Sequence, residues 1–137
     1  MTTLLIKNAH TIATFDDENS ELCDAFVFAR DGVTEAIGPC GDAPKTVDEV
    51  IDASRCIVTP GLVNTHHHMY QTLTRAIPAV QDAELFTWLK GLYPIWARVT
   101  PDMIHTSALT AMAELLLSGC TTSSDHLYLY PNGAKLD

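Results

Sequence analysis

The segment 56–68 constrains the fold of this chain more than any other, because it is an apolar run, broken by a Pro-Gly pair, that ends in three consecutive histidines. Short apolar runs bounded by turn residues are typical of buried β-strands. Side chains two residues apart share one face of a strand, so His66 and His68 project together and His67 projects the opposite way. Two imidazoles about 7 Å apart along the backbone can lean onto one ion. The segment therefore predicts a buried strand that ends in two metal ligands, His66 and His68.

Residues 1–58 are expected to form a small antiparallel β-region. The runs 4–13 and 23–29 are β-prone. An Asp-Gly turn then leads from the second run into 33–37, a pattern that favours a hairpin. A further short strand is expected over 47–51.

Two helices are expected after the histidine segment. Residues 83–93 carry leucines at helical spacing, and Pro94 is expected to interrupt that helix. The second helix has clear end signals, with Thr100 as cap, a proline at the first position and Gly119 as a left-handed stop. Its predicted apolar face comprises Ile104, Ala108, Ala111, Met112 and Leu115.

The run 120–130 is β-prone, so residues 59–137 give the order strand, helix, helix, strand. This order is typical of a parallel α/β structure. The sequence therefore predicts two domains: a small β-region over 1–58 and the first β/α units of an α/β fold over 59–137.

Charge and composition exclude several classes of partner. The chain has 137 residues, with 8 Lys and Arg against 17 Asp and Glu, and its net charge of −9 would repel nucleic-acid polymers and anionic membranes. No apolar run approaches the roughly 20 residues of a membrane span, and no signal peptide is visible at the N-terminus. The 4 cysteines form no CxxC pair, so we expect free thiols and a cytoplasmic protein.

A known family shares these motifs. The stretch 60–68, preceded by a small β-region, resembles the amidohydrolase superfamily, and within it the cytosine/guanine deaminase and triazine hydrolase branch. The longer match over 64–75, 81–86 and 119–131 is similar to the bacterial 8-oxoguanine deaminases of that branch. The resemblance covers essentially the whole chain. It implies that residues 1–58 are an incomplete β-sandwich and that residues 59–137 begin a (β/α)₈ TIM-type barrel. It also implies a zinc-dependent hydrolytic deaminase of a purine-type heterocycle, with 8-oxoguanine as the favoured substrate and ammonia as a product.

The resemblance also implies roles for individual residues. His66 and His68 match the paired metal ligands of the first barrel strand, and Gln71 matches the position whose amide holds the purine. The alternative for Gln71 is a polar loop residue. His126, near the end of the second barrel strand, could reach the pocket as a substrate contact, and the alternative is a hydrogen-bonded strand histidine. Asp125 should face the opposite way.

The remaining catalytic groups are expected beyond Asp137, and no catalytic residue is identifiable within the chain. The family pattern requires a third histidine ligand, a further histidine, a glutamate and an aspartate. A (β/α)₈ barrel takes about 250 residues. We therefore expect an N-terminal fragment that is inactive by itself. The implied cofactor is one divalent ion, with Zn²⁺ favoured and Fe²⁺ or nickel left open.

Three alternatives remain at this point. A guanine or hydroxy-triazine aminohydrolase would use the same first strand with another pocket. A non-catalytic metal-binding α/β module would hold an ion without turnover, and a structural α/β domain would carry the histidines incidentally. The expected partner is a small heterocyclic molecule, with neither a nucleic-acid polymer nor a membrane, and homo-oligomerisation is left open.

Overall fold

The computed structural model describes residues 1–135, which fall into two compact units. The first unit is Met1–Pro60, and the second begins at Gly61. Within the described residues, no helix combines the length and the apolarity that crossing a bilayer requires.

The first unit is a five-stranded sheet. Its strands are β1 (Thr3–Ala13), β2 (Glu21–Arg30), β3 (Val33–Pro39), β4 (Glu49–Asp52) and β5 (Ile57–Val58). The sheet order is β3-β2-β1-β4, and β5 also pairs with β1. The predicted hairpin is confirmed, because β2 and β3 pair antiparallel around a turn in which both Asp31 and Gly32 have positive φ, at 48° and 81°.

The sheet is mixed, whereas the sequence analysis expected an antiparallel region with sandwich form. Both β4 and β5 run parallel to β1, and the described strands of this unit form one sheet. The chain leaves β3 at one edge and crosses to the free edge of β1, which produces a parallel pair. Asp48 fixes the new strand there, since its carboxylate accepts from the Thr3 backbone N–H and hydroxyl, both at 2.8 Å.

Alternating side chains give this sheet two small apolar clusters. One contains Ala9, Ile12, Ala25 and Ala53, and the other contains Leu5, Phe26 and Phe28. Phe26 and Phe28 share a face of β2 because they are two residues apart, and Ala25 lies on the opposite face.

The second unit has the predicted order of strand, helix, helix and strand. It consists of β6 (Leu62–His67), α1 (Leu85–Trp96), α2 (Pro101–Leu117) and β7 (Cys120–Asp125). Strands β6 and β7 pair in parallel. A 3-10 turn over Met69–Thr74 follows β6 directly.

Helix α2 forms as its end signals predicted. The Thr100 hydroxyl accepts from the Met103 N–H at 3.3 Å, and Gly119 adopts a φ of 85° just after the helix. The buried face partly differs from the predicted one, because Met112 is exposed and Ser107 is fully buried.

The prediction that Pro94 interrupts the first helix was wrong. Helix α1 continues through Pro94 to Trp96, because only its last turn lies beyond the proline and a single N–H bond is lost. Leu92 and Trp96, one turn apart, are the buried residues of α1, whereas Leu85 and Phe86 are exposed. Trp96 joins an aromatic core that also contains Tyr70, Val80, Leu92 and Val99.

The expectation of a buried strand at β6 was also wrong for its apolar residues. Leu62 is 52% exposed and Val63 is 65% exposed. Among the described residues β6 pairs only with β7, so one of its edges has no strand beside it. Strand β7 ends at Asp125, five residues before the end of its β-prone run.

Candidate metal centre

His66 and His68 meet at the C-terminal end of β6. His66 lies in the strand and His68 follows it immediately, so both imidazoles project to the same side. Their Nε2 atoms are 3.2 Å apart. Two nitrogen ligands of a tetrahedral ion at 2.0–2.1 Å are separated by about 3.3–3.4 Å. The described side chains therefore fit a divalent ion with imidazole ligands.

The second ring nitrogen of His68 has a defined partner. Its Nδ1 lies 2.9 Å from the backbone carbonyl oxygen of His126. Since a carbonyl oxygen can only accept, the Nδ1 atom carries the proton and the Nε2 atom of the neutral ring keeps its lone pair. His68 is thus held in the tautomer that a metal ligand at Nε2 requires.

The ring of His126 lies flat on the other histidine of the pair. The ring centroids of His126 and His66 are 4.4 Å apart with an interplanar angle of 21°. The Nε2 atom of His126 is 3.4 Å from the carbonyl oxygen of Thr65. Across the described part of the chain, no three His, Cys, Asp or Glu side chains are arranged to hold a metal together. Among the described residues, the candidate ligands are therefore limited to His66 and His68.

Two residues that the sequence analysis did not assign hold the turn after β6. The Met69 N–H donates to the Asp125 carboxylate at 2.8 Å, and the Ser107 hydroxyl donates to the Met69 carbonyl at 2.7 Å. Ser107 could have been found in the sequence as a polar residue on the predicted apolar face of α2, between Ile104 and Ala111. These bonds tie the turn that carries His68 and Gln71 to both β7 and α2.

Gln71 points its amide nitrogen at two tyrosines. The Nε2 atom donates to the hydroxyl of Tyr70 at 2.9 Å and to that of Tyr128 at 3.4 Å. Tyr70 is buried, and this burial together with the Tyr128 hydroxyl raises the pKa of Tyr70. The Tyr70 hydroxyl therefore stays neutral near pH 7. Tyr128 was not among the predicted site residues, since an aromatic residue shortly after β7 is a weak sequence signal.

An open cleft of about 300 Å³ adjoins the imidazole pair. Its lining comprises His66, His67, His68, Gln71, Thr72 and Arg75. Arg75 forms a bidentate salt bridge with Glu114, in which Nη1 and Nη2 donate to Oε2 and Oε1 at 2.7 and 2.6 Å. This salt bridge lowers the pKa of the Glu114 carboxyl. Glu114 is thus engaged as an ion-pair partner and remains ionised.

The comparison with known families identifies the class of protein. Residues 57–136, more than half of the chain, match the amidohydrolase family. The chain therefore belongs to the amidohydrolase family, and the resemblance noted in the sequence is confirmed.

Particular relatives narrow the branch. The chain is 47% identical over 124 residues to the 8-oxoguanine deaminase of Pseudomonas aeruginosa, a match that covers 90% of this chain and 28% of that protein. It is 35% identical to the hydroxydechloroatrazine ethylaminohydrolase of Pseudomonas sp. strain ADP, over 95% of this chain and 29% of that protein.

A solved structure extends the likeness to the fold. The atrazine chlorohydrolase of Arthrobacter aurescens TC1, determined with zinc, superposes with a TM-score of 0.87 at 32% identity, covering 93% of this chain and 29% of that one. The predicted fold class is thereby confirmed. This chain spans less than a third of the length of each of these three proteins.

Proposed function

We propose that this chain supplies two metal ligands and one wall of the pocket of a hydrolytic deaminase acting on a purine-type heterocycle. The observation that carries the proposal is the 3.2 Å approach of the His66 and His68 Nε2 atoms beside an open cleft. Zn²⁺ is the favoured ion because imidazole suits it, and Fe²⁺ is the alternative. The substrate that we favour is 8-oxoguanine, since the relative from P. aeruginosa carries that name at 47% identity.

The divalent ion would supply Lewis-acid activation of water at neutral pH when bound. The residues of this chain place the ligands and the substrate around it. His66 and His68 offer lone pairs at the strand end, and the bond from His68 Nδ1 to the His126 carbonyl keeps one of them in the required tautomer.

Gln71 is the proposed recognition residue for the heterocycle. Because its amide nitrogen donates to the hydroxyls of Tyr70 and Tyr128, its carbonyl oxygen is the group left to accept a hydrogen bond in the cleft. A lactam ring edge presents an N–H of that kind. His126, exposed beside the pair, remains the proposed second substrate contact.

A hydroxy-triazine aminohydrolase is the second candidate, and the 35% identity to the enzyme of Pseudomonas sp. strain ADP favours it. In both candidate functions, the rest of the barrel, the other metal ligands and the proton-transferring carboxylate belong to the part of the enzyme outside this chain. The proposal also includes a small-molecule partner, no nucleic-acid polymer and a cytoplasmic setting, supported by the net charge of −9 and the free cysteines.

Metal content and ammonia release together test this proposal in the intact protein that carries the chain. The wild type should retain divalent metal through gel filtration and release ammonia from 8-oxoguanine faster than from guanine or a hydroxy-triazine. His66→Ala and His68→Ala should each lose the metal and the activity, because one imidazole of the pair is gone. His105→Ala, on the exposed surface of α2, serves as the matched control.

Each result separates the alternatives. A wild type that retains no metal would refute the proposal. Bound metal without ammonia from any of the three substrates would favour the metal-binding module, and a preference for the triazine would favour the second candidate.

A further inference from the structure

We infer that His126 is the positioning residue of the imidazole pair, orienting His68 through its backbone carbonyl and His66 through its ring. The inference rests on the proposed metal site, and it gives His126 a role besides the substrate contact. It follows from two separate contacts that a single residue makes with two ligands.

The carbonyl contact sets the protonation pattern of His68. The 2.9 Å bond requires a proton on Nδ1, so it selects the tautomer with a free lone pair on Nε2. A partner of this kind on the second nitrogen of a ligating histidine typically changes metal affinity by about 10–100-fold.

The stacking contact limits rotation of the His66 ring. At 4.4 Å and 21°, the two rings lie nearly parallel, so rotation of His66 would separate them. His126 meets His66 with its face, and its Nε2 atom lies toward the Thr65 carbonyl at 3.4 Å. The ring therefore acts here as a flat support and not as a third ligand.

The backbone of His126 is itself fixed to the strand that bears the pair. Its N–H donates to the His67 carbonyl at 2.7 Å, one residue beyond the end of β7. The same residue thus closes the β6–β7 ladder and contacts both imidazoles. The geometry of the pair depends in this way on the docking of β7.

Metal affinity measured by competition with a chelating dye tests the ring contact in the intact protein, first with Zn²⁺ and then with Co²⁺ as a spectroscopic probe. His126→Ala keeps the backbone carbonyl and removes only the stacked ring, so it should weaken Zn²⁺ binding by about 2–10-fold, the value of one aromatic pair. His126→Phe should recover most of that loss, because phenylalanine keeps a flat ring but has no nitrogen. The Co²⁺ absorption spectrum of His126→Phe should match that of the wild type, and His105→Ala should change neither readout.

The carbonyl contact has its own readout in the metal-free protein. A long-range ¹H–¹⁵N spectrum, at a pH where the imidazole is neutral, should show His68 with its proton on Nδ1. A proton on Nε2 would overturn this half of the inference.

The other outcomes are equally decisive. Wild-type affinity in His126→Ala would overturn the ring contact. A His126→Phe variant that binds Zn²⁺ as weakly as His126→Ala would also overturn the ring contact. A changed Co²⁺ spectrum in His126→Phe would show that the His126 imidazole is itself a metal ligand. A wild type without metal would remove the proposed function together with the inference, whereas a metal-binding wild type with indifferent variants would remove the inference alone.

Discussion

The two units use their polar side chains in different ways. In the first unit, carboxylates bind backbone and side-chain donors and hold turns and strand ends in place, as Asp48 does with Thr3 and Asp52 with Asn8. In the second unit, the imidazoles at the end of β6 direct nitrogen atoms toward each other and toward a cleft. Polar groups of the first unit therefore serve its stability, whereas some of those in the second unit face a cleft and are available for the proposed ligand.

The hydrophobic cores of the two units also differ in their residue composition. The first unit has one cluster of alanines and an isoleucine and a second one of Leu5, Phe26 and Phe28. The second unit is built around the larger cluster that contains Tyr70, Leu92 and Trp96. The turn that carries the site packs on this aromatic core, since the Trp96 indole N–H donates to Thr74 at 3.0 Å. The aromatic core therefore adjoins the imidazole pair, with the ring of Tyr70 6.3 Å from that of His68.

The largest expected effect is on the aromatic core. Trp96→Ala should lower the free energy of unfolding by about 3–5 kcal/mol, whereas Ile12→Val in the first unit should cost about 0.5–1.5 kcal/mol. Urea unfolding followed by far-UV circular dichroism measures both. Phe86→Ala, at a side chain 76% exposed on the same helix as Trp96, should stay within about 0.5 kcal/mol. Equal losses in all three variants would remove the distinction between the cores.

A smaller effect is expected from steric crowding next to β6. A Cβ atom at Gly61 would clash with the Thr121 hydroxyl oxygen and lie 2.8 Å from the Thr121 Cβ, so Gly61→Ala should cost about 1–3 kcal/mol. Gly41 in the first unit has nothing within 4 Å of the same position, and Gly41→Ala should be close to neutral. Thermal unfolding of the two variants side by side checks this, and similar melting temperatures would contradict it.

The smallest expected effect is a dependence on acid in the first unit. Hydrogen bonds from Thr3 lower the pKa of Asp48 in the folded state. Its contribution to stability is therefore fully present above the ordinary aspartate pKa of about 3.9 and is lost as the pH falls through the lowered value. Urea midpoints measured between pH 6 and the acid range should fall less steeply in Asp48→Asn than in the wild type. Identical slopes would show that this carboxyl is not linked to folding.

Sequence patterns predicted the structural features that depend only on residues close together in the chain. Helix α2 followed from Thr100 and Gly119 because caps act within one turn. The pair of His66 and His68 followed from the alternation of a strand in the same way.

Features that depend on distant partners were not predicted. The parallel pairing of β4 joins Leu4 to Glu49, and no short-range pattern specifies that register. The stacking of His126 on His66 depends on the pairing of β6 with β7, which brings together residues from separate parts of the chain. The continuation of α1 through Pro94 was not predicted either, because it depends on the packing of Trp96, which offsets a single lost hydrogen bond.

The spacing of the two proposed metal ligands has a consequence for how added metal should act on the folding equilibrium. His66 and His68 are neighbours on a chain even when it is unfolded, whereas the His126 carbonyl is 58 residues away from His68 and is near it only in the native state. If the pair binds metal as proposed, unfolded chains would retain a weak chelating pair, and metal bound to them would reduce the stabilisation that the folded-state affinity alone would give. The rise in melting temperature on adding metal should therefore be smaller than the folded-state metal affinity predicts. The size of this difference reports how much of the metal affinity comes from the two-residue spacing, which the unfolded chain keeps, and how much comes from the folded structure.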